Sequence, residues 1–156
     1  MADARAELVG LGYEDVTSYV NSGNLLFRAA GKSAAIERTI RSALEDRFGF
    51  EITTFVRSAA QVRALVDGKP FGSIAAGHTH FALLTLTPMT ASEKKGVEAL
   101  SNQHDTVVVE GRDVHWLIRS KSTETTLGPV QWSSALPDNP TTARNMTMMT
   151  KLAQRL

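Results

Sequence analysis

The sequence has no cysteine. That excludes a disulfide framework, thiolate zinc sites, iron–sulfur clusters and a cysteine nucleophile. It also has no excess of one charge. Its 17 basic and 16 acidic residues leave a net charge of +1, so no whole-protein field favours nucleic acid or a membrane surface. No apolar run approaches the roughly 18–20 residues that span a bilayer. The stretch Met1 to Glu7 is charged and lacks the apolar core of a secretory signal. What is there is ordinary: 156 residues, 42% of them apolar, as in one globular domain or two small ones, expected in the cytoplasm.

Periodicity supplies the elements. A short helix is predicted over 3–11, with Leu8 and Leu11 on one side and Gly10 and Gly12 ending it. Strands at 16–20 and 25–27 flank the turn cluster Asn21 to Asn24 and form a hairpin. The clearest helix is 34–48, capped by Ser33 and ended by Gly49, with Ile36, Ile40, Ala43, Leu44 and Phe48 as one buried stripe. A strand at 51–57 and a short helix opened by a Ser58–Gln61 capping box follow, up to a break at 67–70.

The pattern then restarts. A strand spans 79–87, and a Thr90–Glu93 capping box opens a helix running to about Asn102. A valine-rich strand at 105–109 turns through Glu110 to Asp113 into a return strand at 114–119. Residues 120–141 read as a loop with one helical turn near Val130 to Ala135, and a final helix spans 143–155. Met146, Met149, Leu152, Ala153 and Leu156 recur at helical spacing on it and read as core filling.

Each half therefore reads as α, hairpin, α, with flanking strands. This is the βαββαβ ferredoxin-like unit used twice, and the first copy lacks its opening strand. The fold class is α+β with mostly antiparallel sheet, because helices alternate with hairpins and not with single strands. The first half is placed at 1–67 and the second at 68–156, together one compact unit.

The string from Gly12 to Phe27 (GYEDVTSYVNSGNLLF) resembles the signature of a bacterial family, the domain of unknown function 1697 family. The resemblance continues through Arg47 to Gly49, Lys69 to Phe71, Thr142 to Met146, and Lys151 to Ala153, and so covers essentially the whole chain. It implies a duplicated ferredoxin-like architecture with no established activity. Two features depart from the family pattern. Members usually begin with a strand and a glycine-rich Arg-Gly-Ile-Asn-Val-Gly-Gly turn, whereas here Met1 aligns with the start of the helix after that turn. Members usually carry Trp where this chain has Met146.

Two polar stretches are candidates for chemistry. Ser22, Gly23 and Asn24 form a turn whose amides and side chains could face an anion. Thr142, Arg144 and Asn145 open the predicted last helix, with Thr141 or Thr142 as its cap, where free N–H groups and a guanidinium favour phosphate or carboxylate. The expectation is that the two stretches converge in one pocket for a small anionic ligand, phosphorylated or nucleotide-like. No catalytic residue, metal ligand or cofactor is assigned. His78 and His80 could share a strand face but have no third ligand near them. Ser22, His115 and an aspartate make a triad only on paper, without a Gly-x-Ser-x-Gly elbow. Gly10 and Gly12 follow a helix and lack the third glycine of a dinucleotide fingerprint. Trp132 sits in a polar stretch, where it either stacks on a ligand or packs its loop onto the body. The alternatives to a small-ligand module are a single-stranded nucleic-acid binder, a hydrolase and a protein-interaction or homodimer module. Nucleic acid is disfavoured by the balanced charge and the lack of an RNP-like aromatic strand.

Overall fold

The computed structural model describes residues 1–20 and 23–156, so Asn21 and Ser22 lie outside the described residues. The chain divides into two compact units, Met1–Ser58 with Leu156, and Ala59–Arg155.

In the first unit, helix α1 (Ala2–Gly10) precedes the hairpin of β1 (Glu14–Tyr19) and β2 (Asn24–Arg28), and α2 (Ser33–Phe48) follows. The strands pair antiparallel, with a register shift between Glu14 and Thr17. Asp15, in the shifted stretch, has φ +52° and meets Arg28 Nε at 2.9 Å. Leu8, Ile40 and Leu44 are the buried centre, ringed by half-buried Val16, Leu25, Phe27, Ile36, Ile52 and Val56. The i, i+4, i+8 stripe of α2 thus packs as its spacing predicts, while Phe48 at its end is exposed. Gly49 ends the helix in the left-handed region at φ +75°, its N–H bonded to Glu45 O at 2.8 Å. The helix starts one residue earlier than expected. Lys32 is the N-cap, without a side-chain cap bond, and Ser33 is already helical.

The expected strand at 51–57 is not formed as a strand. These residues anchor through Ile52, whose N–H donates to Glu45 Oε1 at 3.1 Å, and through the apolar side chains of Ile52 and Val56. The physical reason lies in the topology. In a ferredoxin-like sheet the last strand ladders onto the first, and no strand precedes α1 among the described residues. Strand propensity alone forms no ladder without a neighbour.

The second unit is the complete motif. After α3 (Ala59–Gly68) come β3 (Thr79–Thr85), α4 (Ala91–Glu98), β4 (Asp105–Glu110), β5 (Asp113–Ile118), a 3₁₀ turn (Ser122–Glu124), α5 (Pro129–Ala135), β6 (Thr141–Asn145) and α6 (Met146–Ala153). The four strands run β4-β5-β3-β6, every neighbour antiparallel. That is the ferredoxin-like order, and the fold class is α+β as the pattern of hairpins and helices implies. One sheet face buries Leu83, Val107, Val114, Trp116 and Ile118 against Met89, Val97, Leu127, Trp132 and Leu136. The Thr90–Glu93 box caps α4 reciprocally, at 3.2 and 2.7 Å.

The predicted final helix over 143–155 is a strand to Asn145 and a helix only from Met146. Backbone pairing to β3 takes Thr141 to Asn145 into the sheet edge, and tertiary pairing overrides the helical spacing there. Met146, Met149 and Leu152 are buried, as their stripe predicts. Trp132 lies on α5, packed edge-on against Trp116 with ring centroids 5.2 Å apart. Among the described residues no helix is long and apolar enough to cross a membrane.

Candidate functional site

The registers of the second unit decide which side chains share a sheet face. Ala82 pairs with His115 on β5 and with Arg144 on β6, and His115 pairs with Val108 on β4. Alternation along each strand then puts His80, His115, Glu110, Thr142 and Arg144 on one face, opposite the tryptophan core. The helix α6 lies against β3, and α3 against α6.

A histidine pair sits on this face. His115 is fully buried, and its Nδ1 lies 3.0 Å from Nε2 of His80, so one ring donates to the other. On the far side His115 Nε2 is 3.2 Å from Glu110 Oε2, a close charge contact without the alignment of a hydrogen bond. Phe71 stands edge-on to His80, centroids 5.1 Å apart. Burial, and after it the charge repulsion of the neighbouring His115, together push the His80 imidazole down to about 4. Burial also lowers His115, against the opposing pull of Glu110 and Asp113. Both rings are therefore neutral at pH 7, one donating to the other across the His80 Nε2–His115 Nδ1 contact.

The predicted residues on β6 are arranged as follows. Thr142 and Arg144 are two apart, and Arg144 Nη1 donates to Thr142 Oγ1 at 2.6 Å and to Ala143 O at 2.9 Å. Burial lowers the Arg144 pKa. Arg144 lies diagonally from His80 across β3 and β6. Asn145 is the cap of α6: its Oδ1 accepts from Thr147 N–H at 2.9 Å. This corrects the expected threonine cap. The cap falls on Asn145 because the ladder with β3 runs to Asn145 and the helix begins only after it.

Gly23 and Asn24 belong to the first unit. Gly23 has φ +81°, the left-handed conformation that a residue without Cβ adopts freely. Asn24 opens β2 opposite Tyr19 and donates from Nδ2 to Tyr19 O at 3.3 Å. Ser22 lies outside the described residues. The structure thus joins Thr142, Arg144 and Asn145 along one strand of the second unit, and Gly23 with Asn24 in the first.

Sequence reasoning missed the pairing of His80 with His115. Both strands carrying them were recognised, but only the β3–β5 register makes the rings neighbours. Among the described residues no group of three or more His, Asp or Glu is arranged to hold a metal ion.

Comparison with known proteins places this fold. A conserved bacterial protein, SP0830 from Streptococcus pneumoniae, has a solved structure similar to it with a TM-score of 0.77. The two are 22% identical, and the match covers 100% of this chain and 88% of that one, which is a likeness of fold. No curated protein matches the sequence. The model of the family described as a protein of unknown function (DUF1697) matches residues 1–115, and the chain belongs to that family.

Proposed function

We propose that this protein is a cytoplasmic module that binds a small anionic ligand, phosphorylated or nucleotide-like, with Arg144 as its principal donor. The observation that carries the reading is the position of the guanidinium. Register puts it beside Thr142 on the sheet face that also carries His80, and bonds from one terminal nitrogen to Thr142 and Ala143 fix its direction. A guanidinium held in place and half-buried presents a planar fork of donors that suits phosphate or carboxylate. Ser22, Gly23 and Asn24 remain the other ligand-binding candidates, read from the sequence as a turn rich in donors. Asn145 is assigned to the helix cap and supports the site by fixing where β6 ends.

The test is a thermal-shift screen with phosphorylated metabolites, followed by calorimetry on any hit. Arg144→Ala should abolish the hit and Arg144→Lys should weaken it, since Lys lacks the fork. A hit that binds Arg144→Ala unchanged overturns the site.

A second reading, a hydrolase, is favoured by one observation: the neutral His80, backed by His115 and Glu110, shares a face with Arg144. Turnover of a phosphate monoester that His80→Gln removes would support it, and a bell-shaped pH profile would be expected. Hydrolysis unchanged in His80→Gln would exclude this assignment.

A further inference from the structure

The opposite face of the second unit's sheet carries a cavity of about 560 Å³, within the range of small-molecule sites. It opens beside β6 and α5. Its floor is Trp116 and Trp132, its wall Leu83 and Ala143, and part of its rim Pro129 and Pro137. Three properties define what would fit. No lining residue is charged, so an ion entering would leave its charge uncompensated. The floor is a pair of indoles, which favours a flat, apolar body. The third property is an orphan donor: Trp132 is nine-tenths buried, and its Nε1–H has no acceptor among the described residues, whereas the indole N–H of Trp116 is matched by Asp105 Oδ1 at 2.8 Å. Buried indole N–H groups ordinarily find a partner.

We infer that this cavity is a binding site for a planar, uncharged small molecule that carries a carbonyl acceptor. Its ring would lie on the face of one indole with an edge towards the other, and a small turn of Trp132 would bring the orphan N–H onto the carbonyl. The prolines fix the rim without conformational freedom to lose on binding. The site lies across the sheet from Arg144, and its ligand is neutral where that one is anionic, so neither proposal depends on the other.

The chain's two tryptophans both line the cavity, so intrinsic fluorescence reports occupancy directly. The probes are 1-indanone, its hydrocarbon parent indane, and the anion indane-2-carboxylate. The expected result is saturable quenching by 1-indanone at an affinity roughly three- to tenfold better than indane, the worth of one neutral hydrogen bond, with the carboxylate weakest. Trp132→Phe keeps the ring and removes the donor, and should erase the indanone preference. Should Trp132→Phe misfold, Ala143→Phe decides: residue 143 is exposed on the edge strand, and a phenyl group there fills the cavity mouth. It should abolish quenching while leaving the circular dichroism unchanged. Quenching that does not saturate, that survives Ala143→Phe, or that is as strong with the carboxylate overturns the inference.

Discussion

His80 and His115 meet ring to ring across β3 and β5, Nε2 to Nδ1 at 3.0 Å, with the carboxylate of Glu110 behind the buried ring. Protonating either ring puts a cation beside a partly desolvated neighbour, and this sets a pH dependence. His80 has its folded-state pKa lowered from 6.5 to about 4. Between those values the unfolded chain binds the proton and the folded one does not, so stability rises with pH across the window. The contribution is complete above about pH 6.5 and is lost as the pH falls towards 4; His115, also lowered, adds in the same direction. His80 is only partly buried, so solvent screening reduces the effect to on the order of 1 kcal/mol between pH 7 and 5. Urea denaturation of wild type and His80→Gln at both pH values measures it. The variant should lose less stability on acidification, and equal losses would remove His80 from the account.

Asp105 is a second buried titratable group, and its role is structural. Its carboxylate accepts from Trp116 Nε1 at 2.8 Å, Thr125 Oγ1 at 2.6 Å, and Thr126 N and Oγ1 at 3.1 and 3.0 Å. Burial alone would raise its pKa, and the bonds from Thr125, Trp116 and Thr126 outweigh that and lower it. One residue thus ties the segment after the 3₁₀ turn to the start of β4. Asp105→Ala leaves the buried Trp116 N–H and three part-buried donors unmatched and should cost about 3 kcal/mol in urea unfolding. A loss below about 1 kcal/mol would mean that water replaces the carboxylate without penalty.

Much of this fold could be read from periodicity, and the failures have identifiable causes. The stripe of Ile36, Ile40 and Leu44 and the Thr90–Glu93 box are local patterns, and each formed where expected. The segment 51–57 and Thr141 to Asn145 failed in opposite directions for one reason. Strand ladders depend on a partner distant in sequence, which among the described residues the first lacks and the second has in β3. The candidate site shows the same division. Thr142 and Arg144 lie close because they are two residues apart. His80 and His115 lie 35 residues apart and depend on register.

Asn145 separates structure from binding in the anion site. As the cap of α6 it satisfies the Thr147 N–H, and Asn145→Ala should cost about 1 kcal/mol of stability, with Asn145→Asp nearly neutral. Ligand affinity, measured well below the unfolding transition, should fall less for Asn145→Ala than for Arg144→Ala. Equal losses of affinity would give Asn145 a direct contact with the ligand instead of a supporting place.

Gly68 and Glu110 provide a way to disturb the histidine pair without touching it. Gly68 ends α3 against the Glu110 side chain, and a Cβ there would collide with both carboxylate oxygens. Glu110 is 45% exposed at its side chain, so its carboxylate can swing into solvent, away from His115. Gly68→Ala should therefore fold, with the clash offset by about 1 kcal/mol of helix propensity. Its effect should appear at His115, whose imidazole loses the stronger of the two carboxylate pulls that oppose its burial and is pushed to a lower pKa still. A histidine proton titration by NMR reads this directly. The His115 resonance should titrate at lower pH in Gly68→Ala than in wild type. An unmoved His115 titration would mean that the Glu110 carboxylate does not act on the ring, and that His115 stays neutral through burial alone.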